Sequence, residues 1–238
     1  MDDFKIIFFI LIGVLPILTY VIYIYFRDEY KPEPVITLFI AATLGCITSY
    51  ILAFLFYDKG IFPSFYPYWE WSKCWDIGFT KIALPSEVSK FIVLQIFLFF
   101  NKDNDEHIDG IIYSVCIALG FLFFQNYLFL EHSKYEWYIN AVIIIFIFIP
   151  AHYTYGVLMG YFTALSRWKN LLYLLPTLVI PTFVHGLYSS VFLWIDFSTW
   201  HNYYIIIFLA LIISAFILHL LKERSIEKLL THDIDLLQ

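Results

Sequence analysis

The chain has 238 residues, 61% of them hydrophobic and only 14% charged, with a formal net charge of −6. Soluble domains carry roughly 45–50% apolar and about 25% charged residues, so this composition excludes an ordinary soluble fold and points to a bilayer. The acidic balance, with no basic stripe to follow a phosphate backbone, argues against nucleic acid as a partner.

Taken in order, the apolar runs predict seven membrane-crossing helices, each near the ~20 residues one crossing needs. They fall at about Phe4–Phe26, Val35–Tyr57, Ile77–Phe100, Ile108–Leu130, Ala141–Leu165, Leu171–Phe197 and Tyr203–Leu221. Strand-like alternation is missing, which argues against a barrel. The fold class is therefore an all-α polytopic bundle, with a single transmembrane domain over 1–221 and a short tail over 222–238. The first run is full length and lacks a basic leader and a small-residue cleavage site, so it is expected to remain as a helix. Arg27, Lys31, Lys102, Arg167, Lys169, Lys222, Arg224 and Lys228 gather on one side of the spans. Lys5, Lys59, Lys73 and Lys134 lie on the other. The positive-inside rule then places the N-terminus outside and the tail in the cytoplasm.

After span one, Arg27 to Pro34 reads as a stiff, polar connector, because its prolines cannot continue a helix. Span two carries Gly45 and Cys46, small enough for close helix contact. With Cys74 and Cys116, Cys46 belongs to an odd, scattered set that offers neither a disulfide framework nor a thiolate metal site. The loop from Asp58 to Asp76 is rich in Trp, Tyr and Phe. It reads as an interfacial belt or as a gate over an outward-opening site.

Span three contains Pro85-Ser86-Glu87-Val88-Ser89-Lys90. A charge at bilayer depth costs at least ~2.5 kcal/mol, so such residues usually face a protein interior and mark a site. Glu87 and Lys90 also share a helix face and can simply neutralise one another. Span four opens with Asp109, suited to the positive end of the helix dipole. It then pairs Cys116 with Gly120 and places Gln125-Asn126 inside the membrane, either to bond neighbouring helices or to line a polar cavity. In span five, Pro150 precedes His152, and Gly156 and Gly160 continue the same stripe, a surface another helix can approach closely. In span six, Pro176 and Pro181 precede His185, with Ser189 one turn beyond. At ~1.5 Å of rise per residue, Glu87 lies about 15 Å from the outer end of its span. His152 and His185 fall at similar depths, so these groups are expected to share one cavity, with Gln125 nearer the outer surface. Span seven offers only His219.

Together these stretches resemble the PrsW-type intramembrane proteases, distantly similar to the CAAX-prenyl endopeptidases. The connector matches Asp-x-Tyr-x-Pro-Glu-Pro at Asp28, Tyr30, Pro32, Glu33 and Pro34. The family's E-E-x-x-K falls on Ser86, Glu87 and Lys90, and its D-G…G-F-x-x-x-E-N on Asp109, Gly110, Gly120, Phe121, Gln125 and Asn126. Its two histidine spans match His152 with Gly156 and Gly160, and His185-Gly186-Leu187-Tyr188. The resemblance implies peptide cleavage in or near a bacterial-type cytoplasmic (inner) membrane. Its catalytic positions are Glu87, Gln125, His152 and His185, supported by Ser86, Lys90, Asn126 and Ser189. It further implies a divalent metal such as zinc on Glu87, His152 and His185, and a membrane-protein substrate or partner, with lipid, in the cavity. Three positions depart from the pattern: Ser86 and Gln125 stand where glutamates are expected, and Ser189 where an acidic or amide residue often follows. Serine and glutamine cannot act as carboxylate bases. The resemblance is thus consistent with an intramembrane endopeptidase, or with a catalytically silent relative that binds a membrane partner as a scaffold.

Overall fold

The computed structural model describes residues 7–26, 32–56, 70–101, 106, 108–133, 135–168 and 170–194. The predicted seventh span, the tail, Arg27–Lys31 of the connector and the aromatic loop up to Trp69 lie outside the described residues. Among those described there is no strand. The helices are α1 (Ile10–Tyr25), α2 (Val35–Leu55), α3 (Trp71–Phe100), α4 (Asp109–His132), α5 (Trp137–Arg167) and α6 (Leu171–Trp194), and all but α1 are long and apolar enough to cross a membrane. Helices satisfy every backbone N–H and C=O internally, which hydrocarbon demands of a spanning segment. The apolar runs are thus polytopic helices, as expected.

α4 is the axis of the bundle. Residues 108–122 are buried without interruption, and α1, α2, α3 and α5 all pack against it. Small residues make that possible. A methyl on Gly45 would strike the Ile117 carbonyl, and one on Gly120 the Ala42 carbonyl, so α2 and α4 touch backbone to backbone. On the other side, methyls on Gly156 and Gly160 would strike Val115 and Ile111 of α4. The stripe that begins at His152 therefore faces α4, and close backbone approach supplies the dispersion contacts that join helices in lipid. α2 and α6 leave Phe39, Phe54, Leu175 and Phe183 exposed on the outside of the bundle, where hydrocarbon is the expected neighbour.

Three π-helical stretches share one cause. Phe9–Val14, Ile77–Ala83 and Ile144–Phe148 each end two residues before a proline: Pro16, Pro85 and Pro150. A proline in a helix lacks the N–H and presses its ring on the carbonyl four residues back. Those carbonyls belong to Ile12, Lys81 and Phe146, inside the widened turns, where the looser i→i+5 pattern makes room. Glu87 and His152 each follow such a proline by two residues. In α6, Pro181 lies inside the helix four residues before His185. Each of the three groups thus sits beside a break in regular helical bonding.

Two expectations change. Trp71–Asp76 is helical and continuous with the π stretch that follows, so α3 begins earlier than the predicted Ile77. Glu87 then lies roughly 24 Å from the start of α3, near the middle of its 30 residues. The connector is also more than a polar turn. Glu33 is buried and accepts a hydrogen bond from the Tyr113 hydroxyl of α4. A carboxylate so buried and left alone would be costly, and the phenol supplies a partner.

Candidate active site

Glu87, Lys90, His152 and His185 come together in the interior. Glu87 and Lys90 lie one turn apart on α3 and are 0% and 1% exposed. The Lys90 Nζ donates to Glu87 Oε1 at 2.5 Å, and the His185 Nδ1–H of α6 donates to the same oxygen at 2.6 Å. The second carboxylate oxygen, Oε2, is buried with no hydrogen-bond partner. His152, on α5, is 5% exposed and its ring centre lies 5.3 Å from that of His185. Its Nδ1 has no hydrogen-bond partner.

A cavity of about 80 Å³ opens beside the imidazoles. Gln125, His152, His185, Tyr188 and Ser189 give it a polar wall, and Phe148 and Phe192 an apolar one. Its volume exceeds the ~10–15 Å³ that one water needs, and its few polar groups, set in an otherwise apolar lining, are where a water would bond. The apolar wall continues toward the end of the bundle that carries Trp71 and Trp194. There Phe129 of α4 packs edge-on against Phe148 at 5.0 Å, and Phe148 against Phe192 at 5.1 Å.

The remaining predicted site residues fall as follows. Gln125 and Ser189 line the cavity. Ser86 is buried next to Glu87 but does not line it. Asn126 is fully buried, and neither amide atom has a hydrogen-bond partner. Phe121, which stands in the family motif, and Tyr155, which no motif singled out, enclose the charged groups. Tyr155 stacks on His185 with ring centres 4.5 Å apart and lies 5.4 Å from His152. Lys90 Nζ sits 5.5 Å from the Tyr155 ring and 5.3 Å from that of Phe121, within cation–π range. The i, i+3 spacing of His152 and Tyr155 was the signal that could have found the tyrosine.

The family model described as PrsW family intramembrane metalloprotease matches residues 33–215. The chain belongs to the PrsW family. It is 30% identical over 231 residues to the Protease PrsW of Clostridioides difficile (strain 630), covering 93% of this chain and 91% of that one. With the Protease PrsW of Geobacillus kaustophilus (strain HTA426) it shares 28% identity over 183 residues, 74% of this chain and 76% of the relative. With that of Bacillus subtilis (strain 168) it shares 26% over 200 residues, 80% and 84%. No solved structure matches. PrsW membership and the apolar helices agree on a multi-pass membrane protein.

The PrsW family description raises the question of a metal, and the donor set answers it for this arrangement. Among the described residues, no three His, Cys, Asp or Glu side chains are grouped so that they could hold one ion. Glu87 Oε1 already accepts from an ammonium and an imidazole. A catalytic zinc uses three protein ligands; Glu87 Oε2 is open, but the carboxylate and the two imidazoles are not grouped around one point. The implied set of Glu87, His152 and His185 therefore does not fit a metal as arranged here.

Proposed function

We propose that the chain is a slow intramembrane peptidase acting on a membrane-anchored protein. In this reading His185, oriented by Glu87, is the proton-transfer group. The observation that supports it is the buried 2.6 Å bond from His185 Nδ1 to Glu87 Oε1 at the wall of a largely apolar cavity that a few polar side chains reach. A carboxylate that holds Nδ1–H leaves Nε2 to accept a proton from water as it attacks a peptide carbonyl, and to return it to the departing amine. His152, with its unpartnered Nδ1, stands beside that water. Slowness follows from Ser86 and Gln125 at positions where the family resemblance expects carboxylates. The bundle is oriented with the N-terminus outside and the tail in the cytoplasm, in a bacterial cytoplasmic membrane, so that the cavity lies toward the outer leaflet.

A second reading, a silent relative that only binds a membrane partner, is favoured by the engagement of Glu87 with Lys90. Co-reconstitution of the full chain with a single-span protein bearing an outward domain separates the two. The peptidase reading expects slow release of that domain, stopping in His185→Ala. Capture of the intact partner by both forms, with no fragment from either, would establish the binding reading instead.

A further inference from the structure

We infer that Lys90 is the resident cation of this site, an ammonium standing beside Glu87 where a divalent metal would otherwise be drawn. Three observations support this. The ammonium bonds Glu87 Oε1 at 2.5 Å and so already supplies the counter-charge to that carboxylate. The His185 Nδ1–H takes the same oxygen. The lysine is 1% exposed and lies over the Phe121 and Tyr155 rings, so both its charge and its position are held by the protein.

The ordinary alternative is a helical ion pair at i, i+3 whose members need only each other. That reading leaves the histidines out. Glu87 Oε2 and His152 Nδ1 are both buried without partners, and His185 binds Glu87 directly, so a carboxylate and two imidazoles share a space with one ammonium among them. Like charges exclude one another strongly where water is absent. A divalent ion at the open Glu87 Oε2 would face the Lys90 ammonium across one carboxylate, and that repulsion opposes its uptake. Removing the ammonium while keeping the carboxylate should convert the set into three ligands, the number a catalytic zinc site uses.

The inference stands apart from peptide cleavage, because metal uptake is read without a substrate. Full-length protein in detergent is equilibrated with cobalt(II) or zinc, freed of loose ions, and assayed for metal per chain and for cobalt ligand-field absorption. Wild type and Lys90→Arg should retain no metal. Lys90→Met should retain about one equivalent per chain with the absorption of a tetrahedral site, and His185→Ala in the Lys90→Met background should abolish it. About one equivalent in the wild type, lost in Glu87→Ala, would overturn the inference, and this needs no Lys90 variant to fold. Folded Lys90→Met protein that takes up no more metal than wild type would overturn it as well.

Discussion

Glu87→Ala should destabilise the bundle by about 3–5 kcal/mol, the loss expected when one partner of a buried ion pair is removed. Glu87 and Lys90 are 0% and 1% exposed, so no solvent compensates the ammonium that remains. The same substitution also frees the Nδ1 of His185. The paired change Glu87→Ala with Lys90→Met should recover most of the loss, because replacing both members of a buried pair with apolar groups is often neutral or stabilising. Unfolding midpoints in one detergent, compared for wild type, both single variants and the double variant, give the coupling directly. Additive single effects would mean that the carboxylate and the ammonium do not hold one another.

Restoring carboxylates should act in the opposite direction, on rate rather than stability. Gln125→Glu places an ionisable group on the cavity wall shared with His152 and His185. A positioned base is worth roughly 10²–10⁴-fold, so cleavage of a co-reconstituted membrane-anchored substrate should rise by about 10²-fold. Ser86→Glu should add less, because Ser86 is buried beside Glu87 without lining the cavity. The gain should vanish when Glu87→Ala is added to Gln125→Glu. Initial rates at several substrate densities separate faster chemistry from tighter binding.

Much of this arrangement was legible in the sequence, for identifiable reasons. Apolar runs of about 20 residues can do little but cross a bilayer as helices. Polar groups at matched depths, each near a proline or glycine, brought Glu87, His152 and His185 together before any coordinates. Gly45, Gly120, Gly156 and Gly160 announced close helix contacts and make them. The start of α3 was missed because Trp71–Asp76 carries charge and aromatics typical of an interface, yet continues the helix into the membrane. Tyr155, one turn beyond His152, was hidden by abundance, since aromatics make up 22% of the chain; Phe121 stood in the family motif, but nothing local placed its ring over Lys90. Glu33 looked like part of an exposed connector. Its partner Tyr113 lies 80 positions away, and no local pattern announces a pairing of that range.

The most direct test of the central claim is the rate of substrate cleavage by Glu87→Gln against wild type in the same proteoliposomes. Glutamine keeps the shape of the side chain but cannot hold the His185 Nδ1–H as a carboxylate does. The expected result is slow cleavage by the wild type that falls by roughly 10²-fold or more in Glu87→Gln, with KM little changed. Equal rates in the two proteins would contradict the assignment of Glu87 and His185 as the working centre.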